Sequence, residues 1–297
     1  MLFFDVVFPV LLVFIIGYVS QKWKRIDLKP ISVLIIYILV PALVITTFHT
    51  TELTLDHGII LLYALIFLTI LIWITKCFSW LTKQNSDTEC GLILSTVFMN
   101  SGNYGVPIIL FAFGQEGFAY AIIFMIVQTV IMSTFGIYYA AKGGTGIRTA
   151  IVTLLKLPTT YTIILVLALQ WTNLKVPTPI FQTMDLISQA TIPATMLLLG
   201  MQLAEIKLQR LEWGFISYGI FIRLLLSPIL AWGITSLLPI SPLMQSVIII
   251  LSATPSAATT TIYAIQFDTK PELVSSITLI TTIGSVFTIT GLLYFLL

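Results

Sequence analysis

The chain of 297 residues is 58% hydrophobic and 9% charged, with 14 Lys and Arg against 12 Asp and Glu. A surface that faces water needs roughly a quarter of its residues charged. This composition, with a mean hydropathy of +1.06, excludes a soluble enzyme, a nucleic-acid binder and a disordered regulator. It indicates an all-α integral membrane protein.

A spanning helix takes about 20 mostly apolar residues. In chain order the sequence predicts spans at 2–20, 31–48, 57–80, 91–113 and 118–141. Five more follow at 150–170, 180–204, 213–236, 242–266 and 273–296, which makes ten. The first run is apolar from Leu2, and its basic residues come after it. A cleavable leader carries its charge first, so this segment is expected to remain as a span. Cys77 and Cys90 flank one short polar loop, a pattern that points to neither a metal site nor a disulfide framework. No metal and no cofactor is expected. Twelve basic residues fall in loops after odd-numbered spans, from Lys22, Lys24, Arg25 and Lys29 to Lys142, Arg148, Lys207, Arg210 and Lys270. The loops after even-numbered spans hold only Lys175. Positive charge stays on the cytoplasmic side, so both termini are expected outside a cell membrane.

Proline inside an apolar helix removes a hydrogen bond and clashes with the preceding turn, so its positions are informative. Pro9 and Pro158 lie 149 residues apart, Pro41 and Pro193 lie 152 apart, and Pro107 and Pro255 lie 148 apart. They fall in predicted spans 1 and 6, 2 and 7, 4 and 9. The shared offset maps the first five spans onto the last five, which enter the membrane from the opposite face. This is a 5+5 inverted repeat, 1–148 and 149–297, of the kind found in secondary transporters.

Span 4 contains Asn100-Ser101-Gly102-Asn103-Tyr104-Gly105-Val106-Pro107, a poor helix former. Its partner in span 9 is the hydroxyl-rich stretch from Ala253 to Thr261, where Thr254 before Pro255 suggests an N-cap and a first helical residue. Lipid cannot satisfy freed backbone groups, so both stretches are expected to be breaks facing protein or a water-filled cavity. Half-helices would then begin after Val106 and after Thr254. Each carries unpaired N–H groups and about half a positive charge at its start. Two such ends arriving from opposite sides suit an anion, especially a carboxylate.

The 100–107 stretch and the Ala-Thr-Pro-Ser-Ala stretch at 253–257 resemble the auxin efflux carrier family, over essentially the whole chain. The resemblance implies the fold of bile-acid–sodium symporters, with spans 1, 2, 6 and 7 as scaffold and spans 3–5 and 8–10 as a moving core. It further implies broken spans 4 and 9 crossing in an X, elevator-like efflux of carboxylates such as malonate or auxin-like acids, and a homodimer through the scaffold. The long cytoplasmic loop of many plant members, between spans 5 and 6, is absent.

Candidate binding residues follow from polarity at membrane depth. Asn100 and Asn103 either donate amides to a carboxylate or cap broken ends. Ser101 and Tyr104 either join that site or face neighbouring helices. Pro107, Thr254, Pro255 and Ser256 belong to the breaks. Arg223 lies about ten residues into span 8, where an arginine costs roughly 2.5–3.5 kcal/mol, with no acidic residue at that depth. Backbone carbonyls, water or an anionic substrate must neutralise it. Gln128 in span 5 is expected in the core, and Gln189 in span 7 facing it; interhelical bonding is the alternative for each. His49 and His57 are expected at solvated loop ends, and Trp73, Trp80, Trp171, Trp213 and Trp232 as interfacial anchors.

A proton-coupled carrier usually holds a carboxylate or histidine within the membrane, and none is placed there. Oxygens around Thr254, Ser256 and Thr259 offer a sodium site without an acidic ligand. The expectation is therefore a carrier without a coupling ion, in which the potential, about 2.3 kcal/mol per charge per 100 mV, expels a monovalent anion. The alternative is a membrane sensor that binds the anion without moving it. An enzyme would need paired aspartates or a metal cluster, which the sequence lacks.

Overall fold

The structure, a computed structural model, describes residues 3–50, 55–141, 152, 155–156, 158–172, 174, 176–206 and 211–297. Lys142, Arg148, Lys175, Lys207 and Arg210, part of the expected charge asymmetry, lie outside the described residues, as does the side chain of His57. Among the described residues nearly everything is helix and there is no strand. A lone antiparallel bridge joins Met99 to Ser256.

The helices in chain order are α1 (Phe3–Lys24), α2 (Leu28–His49), α3 (Leu55–Leu81), α4 (Ser86–Thr96), α5 (Ser101–Ala140) and α6 (Pro158–Trp171). After them come α7 (Thr178–Ser188), α8 (Thr191–Glu205), α9 (Trp213–Thr235), α10 (Pro242–Ser252), α11 (Ala258–Phe267) and α12 (Pro271–Leu296). Seven apolar stretches are long enough to cross a membrane: α1, α2, most of α3, α5, the α7–α8 pair, α9 and α12. The chain is thus a multi-pass membrane protein. Of the other expected spans, 4 and 9 are divided partway along, and span 6 is described as helix over Pro158–Trp171. Span 7, expected as one helix, is also divided, at Gln189 and Ala190.

Local chemistry sets the ends. Asn85 caps α4 by accepting from the Thr88 N–H at 2.9 Å, with Asp87 and Glu89 in the first turn, a favourable place for negative charge. Ser241 caps α10 through the Met244 N–H at 3.2 Å, followed by Pro242, whose missing N–H costs nothing there. Gly114 turns α5 sharply, at φ 64° and ψ −157°, a conformation open to glycine and few others. The turn falls within the break expected between spans 4 and 5.

Polarity runs inside out. Ile15, Leu62, Ile164, Leu186 and Phe287 face outward, while Thr75, Thr96, Ser227, Ser256 and Thr278 are buried. All six tryptophans, Trp23 included, are exposed. This is the arrangement a lipid solvent selects.

Two groups of helices result. α1 packs along α8, and α2 packs on α6 and α7. The α1–α8 contact is a backbone approach: a Cβ on Gly17 would collide with the Leu197 carbonyl oxygen, and one on Gly200 with that of Phe14. In the second group, α4 lies against α3, α9 and α12, and α10 lies against α5 and α9. α8 touches the first turns of α5 and also α11, so the two groups meet at the interrupted helices.

Candidate functional site: the junction of two interrupted helices

The helix α4 stops at Thr96 and α5 starts at Ser101; α10 stops at Ser252 and α11 starts at Ala258. The linking segments run antiparallel and bond to each other. The Asn100 N–H donates to the Pro255 carbonyl at 2.8 Å, and the Ala257 N–H donates to the Phe98 carbonyl at 3.0 Å. Buried backbone groups freed from the helices are thereby satisfied.

Four helix ends meet here, and they are treated differently. The two carboxyl ends belong to Arg223, midway along α9 and fully buried. Its Nη1 donates to the Thr96 carbonyl at 3.3 Å and the Ser227 hydroxyl at 3.2 Å. Its Nη2 donates to the Ser252 carbonyl at 2.9 Å and to the Thr254 carbonyl. A cation at the last carbonyls is where the helix dipole favours it. The two amino ends lack any such partner. Neither Asn100, before α5, nor Ala257, before α11, makes a side-chain capping bond, in contrast to Asn85 and Ser241 at the far ends of α4 and α10. The Asn100 side-chain nitrogen, Nδ2, is buried without a hydrogen-bond partner; the residue is 5% exposed.

Each expected site residue has a definite place. Ser101 is buried in the first turn of α5, and Asn103 in the same turn is half-buried. Tyr104 is fully buried; its hydroxyl pairs with Ser285 at 2.9 Å and its ring lies 5.5 Å from that of Phe14 in α1. Pro107 is buried near the start of the regular α-helix. Gln128 is 6% exposed, on α5 one turn beyond Met125, the side chain that a Cβ on Gly102 would meet at 3.2 Å. Pro255 and Ser256 are buried in the second linking segment, and the Ser256 hydroxyl accepts from Thr278 at 3.2 Å.

Four expectations are corrected. Thr254 is not an N-cap: its hydroxyl turns back to the Leu251 carbonyl at 2.6 Å, and α11 begins four residues later at Ala258. Pro255 is accordingly not a first helical residue; it gives its carbonyl to Asn100 instead. The helix after the first break starts before Val106, at Ser101, through a wide turn closed by the Gly105 N–H on the Asn100 carbonyl at 3.1 Å. Gln189 is exposed and bonds Asp185 in its own helix at 3.0 Å.

The junction also uses residues that sequence reasoning passed over. Thr75 bonds the Thr96 hydroxyl at 3.0 Å and Tyr63 bonds the Ser252 hydroxyl at 2.7 Å, so α3 steadies both ends that Arg223 holds. On α12, Thr281 accepts from the Ser256 N–H at 3.3 Å. Its Thr278, Thr281, Thr282 and Ser285 repeat at helical spacing, a hydroxyl stripe in an apolar span and the available signal. Among the described residues no group of three or more His, Cys, Asp or Glu could hold a metal ion.

The chain is a helical membrane protein in which two short segments between helices pair at a polar junction. Residues 2–149 and 145–293 match the membrane transport protein family, and the chain belongs to it. This is the family of the auxin efflux carriers, to which the sequence resemblance pointed. An "Uncharacterized transporter" of Methanocaldococcus jannaschii is 28% identical over 299 residues, covering 96% of both chains. Another, of Methanothermobacter thermautotrophicus, is 26% identical over 288 residues, covering 95% of this chain and 94% of its own. A protein of Rhizobium meliloti named "Putative malonate transporter" is 32% identical over 119 residues, 40% of this chain and 37% of its own.

Proposed function

We propose that this chain is a secondary transporter of small organic anions, carboxylates of the malonate or auxin kind, that carries them out of the cell. One observation carries the reading. Two uncapped helix starts lie at the junction beside the unpartnered Asn100 amide, while Arg223 occupies the opposing carboxyl ends. Positive helix ends and free donors suit a carboxylate. Arg223 has its four terminal N–H groups engaged, so in this reading it braces the helices while Asn100, Asn103, Ser101 and the backbone amides bind the anion. The name of the Rhizobium relative supports a dicarboxylate among the candidates.

The same reading supplies the architecture. With α4 and the start of α5 as one interrupted span, α10 and α11 as another, and α5 divided at Gly114, the helices make ten spans in two inverted halves. The group α1, α2, α6, α7 and α8 is the scaffold, through which two copies form a dimer. The remaining helices slide against it as an elevator, with both termini outside the plasma membrane. The test is counterflow in proteoliposomes with a panel of labelled carboxylates, malonate and indole-3-acetate among them. Saturable exchange of at least one is expected. Binding without exchange for every member would make the protein a sensor and overturn the proposal.

A further inference from the structure

Among the described residues Arg223 makes no ion pair: every group it bonds is a neutral oxygen. Three backbone carbonyls and one hydroxyl converge on it from α4, α9, α10 and the segment after α10. Carbonyl oxygens from unwound backbone and helix carboxyl ends are also the ligands that hold an alkali cation in a membrane carrier. Here a guanidinium attached to α9 fills the place, with its Nε–H left without a partner.

The charges indicate what it does. Each helix end is worth about half a charge. The carboxyl ends of α4 and α10 together bring about −1, and the amino ends of α5 and α11 about +1. Unaided, the four ends cancel, and an anion gains little at the junction. A fixed positive charge on the carboxyl ends leaves the amino ends uncompensated, by about the charge of one carboxylate. We propose that Arg223 is a tethered counter-ion in the position of a coupling cation. It keeps the anion site permanently active, so that neither binding nor transport needs sodium or potassium. The transport consequence rests on the carrier reading above; the structural role of the charge does not.

The experiment follows melting of the purified protein in detergent, in chloride salts of sodium, choline and, at low concentration, guanidinium and methylguanidinium. The wild type should melt alike in sodium and choline. Arg223→Ala should melt several degrees lower, with most of the loss restored by guanidinium, methylguanidinium or sodium and none by choline. If that variant does not fold, Arg223→Lys and Arg223→Gln decide, since the first keeps the charge and the second does not; Lys should retain more stability. Counterflow of labelled malonate by the wild type should be unchanged when choline replaces sodium. Four results would overturn the proposal: wild-type melting or counterflow that needs sodium, equal losses in the Lys and Gln variants, an Ala variant as stable as wild type, or one that small cations restore no better than choline. If no carboxylate shows counterflow but the melting pattern appears, the carrier reading falls and the counter-ion stands.

Discussion

The two interruptions occupy matching places along the chain and are built differently. The first, between Thr96 and Ser101, ends in an asparagine whose Nδ2 has no partner and opens into a turn where Gly102 and Asn103 are half-buried. The second, between Ser252 and Ala258, is buried throughout, and its hydroxyls are spent on the protein: Thr254 on Leu251, Ser256 on Thr278. An interruption that has satisfied its polar groups internally is a structural hinge. One that leaves a buried amide unsatisfied retains a costly free donor, since such a group costs about 1–3 kcal/mol until something bonds it. On the proposed reading the two segments divide the labour, the first binding the ligand and the second fixing the geometry.

Asn100→Ala should break this contrast most sharply. The backbone bonds of residue 100 to Pro255 and Gly105 survive the substitution, so melting should shift by less than about 1 kcal/mol equivalent. A hydrogen bond to a charged group is worth about 1.5–3 kcal/mol, so the counterflow KM of the best carboxylate should rise roughly 10- to 150-fold. A variant that melts early and keeps its KM would make Asn100 a structural residue and remove the contrast.

Gly105→Ala probes the place where the two interruptions touch. A Cβ there would stand 2.6 Å from the Leu251 Cδ2 and 3.0 Å from the Thr254 Cγ2. Overpacking of this kind costs about 1–3 kcal/mol, and both readouts should fall together, since the side chain enters between the halves. A loss of affinity alone would place the ligand nearer Gly105 than the geometry allows.

How much of this was readable in the sequence follows from which signals are local. Composition and apolar run length were sufficient for a helical membrane protein, because lipid imposes the same demand on every span. The prolines and the Asn-Gly cluster marked where helices are divided, since Gly102 is a poor helix former and Pro107 is accepted only near a helix start. The direction of the Thr254 hydroxyl was not readable. Ser and Thr cap a helix ahead or bond a carbonyl behind with similar ease, and Thr254 takes the second course, toward the Leu251 carbonyl. Arg223 showed that a partner was required and not which one, since its ligands are backbone carbonyls, which any sequence supplies. Gln189 misled because span 7 was taken as one helix, although Pro193 stands in the first turn of α8 just past the division, where its ring nitrogen cannot bond back to the Gln189 carbonyl.

Thr254→Val is the counterpart to Asn100→Ala on the second interruption. It deletes the hydroxyl bond to Leu251 yet keeps the carbonyl that Arg223 uses. About 1 kcal/mol of stability should be lost, with the KM for the best carboxylate unchanged. A marked rise in KM would show that the second interruption also reads the ligand and that the division of labour is wrong.

The smallest effect is expected at Tyr104, which sequence reasoning placed among the binding residues. Its hydroxyl is taken by Ser285 on α12 and its ring packs on Phe14 of α1, so it spans the two helix groups and offers nothing to a ligand. Tyr104→Phe keeps the ring contact and removes one neutral hydrogen bond. The Ser285 hydroxyl still donates to the Thr282 carbonyl at 2.7 Å, so no buried donor is stranded and the loss should stay near 0.5–1 kcal/mol. Because the ring bridges bodies that would slide past each other, any further effect should appear in the rate of exchange rather than in KM. Counterflow at saturating substrate measures that rate directly. A change in KM without a change in rate would return Tyr104 to the binding site.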